Sequence, residues 1–188
     1  MAALHVTEAA LRRERLSERD ESDQVFFYVD GIPTKGRWMA LEQIDSWADV
    51  HLTLQAAGLV SAGYGGDVLA ADIEGKLARC FYVSRYDLFD LPRYVEVREE
   101  IERHDLDRDA VAAFLDWSGS FNLDSFSDVY MGKYDSEEAF AEQLVEDCGM
   151  LADVPEHVAR YFDMEAFARD LFLGDYYMAD GGYVFASI

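Results

Sequence analysis

Residues 134–151 carry an apolar repeat that predicts one amphipathic helix, and every charged residue on its polar side is acidic. Asp135, followed three residues later by Glu138, resembles a capping box, and Gly149 suits the C-terminal cap. The apolar residues recur at the spacing of one helix face. They are Phe140, Leu144, Cys148 and Leu151, supported by Ala141 and Val145. We therefore expect a helix that lies against a core by one face only.

The polar side of this helix carries a row of like charges, Glu138, Glu142 and Glu146. At ~1.5 Å of rise per residue, they are spaced about 6 Å apart along the helix axis. Each like-charge pair at this spacing costs roughly 0.2–0.5 kcal/mol. Solubility alone is one explanation, but a face of mixed sign would be soluble without that cost. The row therefore favours a surface that meets a basic partner.

The whole chain has 38 acids against 16 bases, a formal net charge of −22. The region 87–175 holds 24 of the acids and 7 of the bases, a net of −17. Such a surface repels nucleic acid and anionic membrane, so we expect neither as a direct ligand. No apolar run is long enough to span a bilayer, and the first residues lack a signal-peptide core, so we expect a cytoplasmic protein.

The order of local patterns predicts an α+β chain. Two β-rich runs flank Gly31, Pro33 and Gly36 and predict a hairpin with a longer loop. Helical patterns dominate from Cys80 onward, and "GGYVFASI" predicts a closing strand. The predicted organisation is an N-terminal extension, a β-rich α+β domain, a helical domain and an acidic α+β domain, with bounds 1–22, 23–79, 80–118 and 119–188.

Metal and cofactor chemistry has little support in the sequence. Cys80 and Cys148 show no metal-ligand spacing, and we expect them to be buried thiols. The four histidines are scattered, with no pair four residues apart on a helix. Residues 105–116 place acids at loop positions 1, 3, 5 and 12 of an EF-hand, but Ala110 stands where the turn needs glycine and Asp116 replaces the bidentate glutamate. We predict no metal, no cofactor and no catalytic residue.

The amount of charge suggests what a basic partner normally holds. Duplex DNA carries one charge per ~1.7 Å of axis, so a net of −22 corresponds to about 37 Å of duplex. Carboxylates on helix surfaces can display such charge, which leads to the hypothesis of a DNA mimic. The acids predicted to form this surface are Glu96, Glu99, Glu100, Glu102, Asp116, Asp128, Asp135, Glu137, Glu138, Glu142, Glu146, Asp147, Asp153, Glu156, Asp163, Glu165 and Asp170.

Three segments resemble the ArdA family of antirestriction proteins. They are "GRWMAL" (36–41), "DIEG" (72–75) and, above all, "YMGKYDSEEAFAEQLVEDCGML…VPEHVARYFDMEAFARDLFLGDYY…GGYVF" (130–185). The similarity extends over roughly residues 24–188 and is densest from Ala113 to the end.

The resemblance implies an elongated chain of three small domains that forms a homodimer. It further implies an inhibitor that mimics bent B-form DNA and is carried by mobile genetic elements. Such an inhibitor occupies the DNA-binding groove of type I restriction–modification enzymes, built by their specificity and modification subunits, and blocks restriction and also methylation. The family's antirestriction motif corresponds to the helix at 134–151 and is linked with dimerisation. Phe140, Leu144 and Leu151 are therefore candidate dimer contacts. The resemblance implies no catalytic residue.

Two other classes remain open from the sequence. An acidic interaction module for a different basic protein predicts binding with which DNA does not compete. A metal-dependent or carboxylate enzyme predicts a cleft with a few carboxylates of perturbed pKa, whereas a mimic predicts carboxylates spread over an exposed surface.

Overall fold

The structure, a computed structural model, describes residues 22–187. Contacts within the chain divide it into two compact units, one ending at Asp109 and the other beginning at Ala110. We call them the N-terminal unit and the C-terminal unit. Over the described residues the fold has eight α-helices and three small sheets, which confirms the α+β prediction. The division into three domains stays a prediction, and the predicted extension lies outside the described residues apart from Ser22.

The N-terminal unit contains a three-stranded antiparallel sheet in the order β2-β1-β3. Asp30 and Gly31 form the β1–β2 turn with φ of 55° and 65°, the conformation that an Asp-Gly hairpin turn requires. The predicted hairpin is therefore confirmed, but its turn is short, and residues 33–35 form an irregularity inside β2 instead of a loop. The strands are β1 (Gln24–Val29), β2 (Ile32–Ala40) and β3 (Val68–Glu74).

Helices and a small hairpin complete the N-terminal unit. The first helix of the described residues begins at Trp47, because residues 41–43 form a 3₁₀ turn and Ser46 precedes the first helical turn. Asp90 caps the longest of the described helices by accepting a hydrogen bond from the Arg93 amide. The elements are α1 (Trp47–Ala56), α2 (Lys76–Arg79), β4 (Tyr82–Val83), β5 (Leu88–Phe89) and α3 (Leu91–His104).

A buried polar cluster joins the ends of several elements in this unit. Asp23 is only 2% exposed, and its carboxylate accepts a hydrogen bond from the Tyr94 hydroxyl at 3.1 Å and pairs with Arg108. Arg108 also donates to the Tyr94 hydroxyl at 2.7 Å. Gly75 has φ of 96°, and a Cβ there would lie 1.7 Å from Asp23 Oδ1. The close approach to this carboxylate of the residue between β3 and the next helix therefore requires glycine.

The cluster predicts a loss of stability at high pH. Burial, together with the charge of Asp23, raises the pKa of the Tyr94 hydroxyl well above its usual 10. The unfolded chain ionises near pH 10 while the folded chain keeps the proton, so unfolding becomes more favourable as pH rises above about 10. We expect the urea midpoint to fall between pH 9 and 11, less so in Tyr94→Phe. Some loss persists in that variant, because burial and Asp87 also raise the pKa of Tyr28 and Tyr82.

The C-terminal unit is built on an antiparallel sheet in the order β6-β8-β7. Phe114 packs against Phe126 and Phe185 at ring-centroid distances of 5.5 and 5.8 Å. The elements are α4 (Arg108–Ser118), α5 (Leu123–Val129), β6 (Tyr130–Lys133), α6 (Glu137–Asp147), α7 (Glu156–Ala159), α8 (Met164–Leu171), β7 (Tyr176–Ala179) and β8 (Tyr183–Ala186). The first two residues of α4 belong to the N-terminal unit. An aromatic core therefore holds helices against this sheet.

The predicted helix at 134–151 is present as α6, with a different N-terminal cap. Ser136, not Asp135, is the cap, because its extended backbone places Oγ 3.1 Å from the amide of Ala139. Gly149 follows the helix with φ of 58°, and the amide of Met150 closes the turn on the carbonyl of Val145. The predicted C-terminal cap is therefore confirmed.

The apolar stripe of α6 is buried only in part. Phe140, Ala141 and Val145 are buried, whereas Leu144 and Leu151 are half-buried. The prediction of buried thiols is wrong for both cysteines, which are exposed. Each occupies the residue directly after a helix, Cys80 after α2 and Cys148 after α6, where the chain turns away from the face that packs on the core.

A close backbone approach in the C-terminal unit gives a stability prediction. Gly182 has φ of 84°, and a Cβ there would lie 2.1 Å from the carbonyl oxygen of Tyr134. Gly181 has a similar φ of 86°, but its Cβ would meet only the Tyr183 ring, at 3.1 Å. A left-handed residue other than glycine costs about 1–3 kcal/mol. Chemical denaturation should show Gly182→Ala to be destabilised by more than Gly181→Ala; equal losses would contradict the steric contact.

Candidate functional site

The predicted acidic residues lie at the surface of both units. Sixteen of the seventeen are exposed, and Glu100 is half-buried. Most belong to the helices α3, α6 and α8 or to the residues beside them, while Asp116 and Asp128 lie in α4 and α5. Asp153 and Glu156 lie between α6 and the end of α7. Their part in function stays a prediction, but their exposure leaves them accessible to a partner.

On α3 the glutamates are paired with bases of the same helix. Arg93 lies 2.5 Å from Glu96, and Arg98 lies 3.7 Å from Glu102. Arg103 is 3.9 Å from Glu99 and also pairs with Glu100, which His104 approaches at 3.4 Å. All of these pairs have the i,i+3 or i,i+4 spacing at which helix side chains meet. The four carboxylates of α3 are thus matched by three arginines.

Arg98 also has a structural role in the N-terminal unit. Its side chain is 5% exposed, and Nη1 donates hydrogen bonds to the carbonyls of Leu41 at 2.6 Å and Ile44 at 3.3 Å. Its guanidinium also pairs with Asp45. These bonds satisfy the backbone of the 3₁₀ turn and fix α3 against it.

In the C-terminal unit the acids are largely without bases. Residues 110–188 contain 16 acids and 3 bases, a net of −13. Lys133 lies over the Tyr183 ring at 5.0 Å, and Arg160 lies over the Tyr161 ring at 5.1 Å. Within the described part of this unit, the one ion pair joins Arg169 to its neighbour Asp170, at 3.0 Å. The structure therefore leaves nearly all of this charge uncompensated.

Helix α6 shows the imbalance most clearly. Glu137 and Glu138 lie in its first turn, where the helix dipole favours acids. Glu146 and Asp147 lie in its last turn, where the dipole favours bases, and no base is present there. Helix α3, in contrast, ends with Arg103 and His104. The acids in the last turn of α6 are therefore unfavourable for the helix, because the helix dipole favours bases there.

Helices α6 and α8 bring acids from separate segments together. Asp163 caps α8 by accepting a hydrogen bond from the Ala166 amide at 3.0 Å. The first turns of both helices line one open cleft in the C-terminal unit. Its lining includes Ser136, Glu137, Glu138, Asp163, Glu165 and Arg169. Carboxylates that are about 25 residues apart in the sequence therefore share one surface.

Residues 22–187 hold no group of three His, Cys, Asp or Glu side chains placed to bind a metal ion. Across the same residues, no helix is long and apolar enough to cross a membrane. The EF-hand-like segment 105–116 is not a loop, because Asp105 ends α3 in a left-handed conformation and α4 starts at Arg108.

The arginine pairing on α3 was missed by sequence reasoning, although its signal was present. Arg93 precedes Glu96 by three residues, and Glu99 precedes Arg103 by four. The same spacing test finds no partner for the row on α6, because the segment 134–151 contains no base. The spacing of acids and bases along the sequence therefore distinguishes α3, whose acids have bases within reach, from α6, whose acids have none.

The chain matches one known protein family. A family model described as antirestriction protein (ArdA) matches residues 27–185. No curated protein and no solved structure gives a significant match. The matched segment extends through most of both units and includes all seventeen predicted acids. The resemblance seen in the sequence is thereby confirmed, and the chain belongs to the ArdA family of antirestriction proteins.

Proposed function

We propose that this antirestriction protein acts as a DNA mimic that occupies the DNA-binding groove of type I restriction–modification enzymes. The observation that carries the proposal is the uncompensated carboxylate surface of the C-terminal unit, with 16 acids and 3 bases. A net of −13 corresponds to about 22 Å of duplex at one charge per ~1.7 Å.

The arrangement on α6 supports a phosphate-like role for its acids. Glu138, Glu142 and Glu146 are exposed and follow one face at about 6 Å intervals along the axis. A helix that only needed solubility would gain from a lysine at position 142, through pairs with both neighbours. In a cationic groove, a lysine there would instead meet the lysines and arginines that bind DNA. The uniform sign is therefore costly for the isolated helix and favourable for the complex.

The proposed target is the DNA-binding core of the enzyme, formed by its specificity and modification subunits. Restriction and methylation both require DNA in this groove, so the mimic blocks both. The protein acts in the cytoplasm, where restriction enzymes meet incoming DNA. It needs no cofactor and binds no nucleic acid itself, because its net charge of −22 repels phosphates.

Inhibition kinetics test this proposal. Cleavage of unmodified plasmid by a purified type I enzyme is measured at several DNA concentrations, with and without the protein. Competition for the groove predicts inhibition that rising DNA concentration relieves, and that added salt weakens because the contacts are ionic. Inhibition that DNA does not relieve would instead favour an acidic module that binds elsewhere on the enzyme.

We also propose that two copies associate through the C-terminal unit. Of the candidate dimer contacts, Phe140 is only 2% exposed and packs against Tyr134, Phe172 and Tyr176, so it serves the core. Residues 150–173 instead expose five large apolar side chains within one segment of the chain. They are Met150, Val158, Tyr161 at 77%, Phe162 and Leu173 at 78%. We propose that a second copy covers them.

A substitution in this exposed set gives a test of dimerisation. Leu173→Glu places a charge where the second copy would pack, so we expect light scattering to give the monomer mass. The matched control is Leu52→Glu, since Leu52 is also well exposed, at 62%, but belongs to the N-terminal unit. The control should keep the wild-type mass. If both variants keep it, the exposed residues of 150–173 do not form the dimer contact.

A further inference from the structure

The two acidic helices differ in how their charge is balanced. Helix α3 carries four glutamates and three arginines, and each glutamate has a base within ion-pair distance. Helix α6 carries five acids and no base. The acids of both helices were predicted to belong to one DNA-like surface. The difference in charge balance shows that the acids of α3 and those of α6 are not equivalent.

The pairs on α3 change what a cationic groove would meet. A carboxylate beside a guanidinium forms a dipole, whose field falls off faster than that of a single charge. Its residual attraction for a basic surface is further screened within about 8 Å at physiological salt. If cations of the groove paired with Glu96, Glu99 or Glu100, then Arg93 and Arg103 would lose their partners and would face other cations. Contact with this face therefore gains little and adds repulsion.

The pairing on α3 also has an internal purpose. Arg98 is buried and holds the carbonyls of Leu41 and Ile44 while it pairs with Asp45 and Glu102. Its neighbours on the exposed side, Arg93 and Arg103, lie at the spacing that stabilises a helix. The acids of α3 thus pair with arginines of their own helix, and Glu102 pairs with the arginine that holds the 3₁₀ turn of the N-terminal unit.

We infer that the DNA-like surface consists of the uncompensated carboxylates of the C-terminal unit, and that Glu96, Glu99, Glu100 and Glu102 lie outside it. The inference rests on the proposed function and narrows it to one part of the chain. The partner chemistry it names is a cationic groove that engages exposed carboxylates on α6 and α8, while α3 stays in solvent.

Two matched triple variants test the inference. E138Q/E142Q/E146Q and E96Q/E99Q/E100Q each remove three negative charges from one helix, and the second leaves Arg98 paired with Asp45 and Glu102. Binding to the methyltransferase core of a type I enzyme is measured by titration at a low and a moderate salt concentration. We expect the α6 variant to bind about tenfold more weakly and with a shallower salt dependence. The α3 variant should bind within about twofold of wild type.

A third variant tests the same point in the opposite direction. R93Q/R103Q uncovers Glu96, Glu99 and Glu100, so a groove that touched α3 would bind it more tightly. We expect no change in affinity, with thermal unfolding confirming that each variant folds. Tighter binding by R93Q/R103Q, or equal losses in the two glutamine variants, would overturn the inference and leave the mimicry intact. Wild-type binding that duplex DNA does not displace would instead reject the proposed function, and the inference with it.

Discussion

Asp23→Ala is expected to lower the free energy of unfolding by roughly 3 kcal/mol, because it removes the acceptor at the centre of a buried network. Asp23 accepts a hydrogen bond from Tyr94 and pairs with Arg108, 71 and 85 residues away in the sequence. Without the carboxylate, the guanidinium of Arg108 loses its charge partner. Arg108 is about one-third exposed, so water offsets part of the loss and keeps the estimate at the low end for buried pairs.

The matched control for this variant is Asp30→Asn, which removes the charge but keeps a residue that tolerates the left-handed φ of 55° at this position. Asp30 also accepts hydrogen bonds from a tyrosine and a base, Tyr64 and Lys35, but it lies in an exposed turn. Chemical denaturation followed by circular dichroism should give a stability near wild type for the control and a clear loss for Asp23→Ala. Similar midpoints for both variants would mean that the Asp23 network contributes no more than a surface ion pair.

Reversing the row on α6 is expected to have the largest effect on inhibition. E138K/E142K/E146K turns three acids into bases on a face that we propose meets lysines and arginines. Like charges brought together across an interface cost several kcal/mol, so inhibition of DNA cleavage should weaken by at least about a hundredfold. The affected side chains are exposed, and the fold should therefore remain intact.

The size of the response separates a specific surface from general acidity. If only the net charge mattered, the lysine variant would still carry most of the −22 and would inhibit almost normally. E138Q/E142Q/E146Q should fall between wild type and the lysine variant in the concentration that halves cleavage. Wild-type inhibition by the lysine variant, with an unchanged thermal midpoint, would remove α6 from the proposed surface.

Much of the fold follows from short-range signals in the sequence. The two β-rich runs form the predicted hairpin, although its turn at Asp30 and Gly31 is shorter than the loop expected. The period of Phe140, Ala141 and Val145 correctly predicts the buried face of α6. Gly149 ends that helix, as expected from its freedom to adopt positive φ. These features depend on residues within a few positions of one another, which is why pattern reasoning finds them.

What the sequence did not reveal depends on distant or terminal residues. The pairing of Asp23 with Arg108 is set by the tertiary fold and leaves no local pattern. The cysteines were expected to be buried, but both are exposed and lie just past a helix end. Ser136 replaced Asp135 as the cap because a shift of one residue decides which side chain reaches the amide of Ala139.

Only part of the candidate site could be predicted from the sequence. The acids themselves could be listed from composition and helical spacing, and nearly all are exposed. Their division into paired and uncompensated groups required the positions of the arginines on α3. Acids gathered from α6 and α8 onto one surface required the packing of those helices in the C-terminal unit.

The measurement that tests the central claim most directly is binding of the purified protein to the specificity and modification subunits of a type I enzyme, with duplex DNA as competitor. It is made at a low and a moderate salt concentration. The account predicts tight binding that DNA displaces and that weakens steeply with salt, because both ligands use the same cationic groove. Absence of binding to several type I enzymes at low salt, or binding that DNA leaves unchanged, would contradict it.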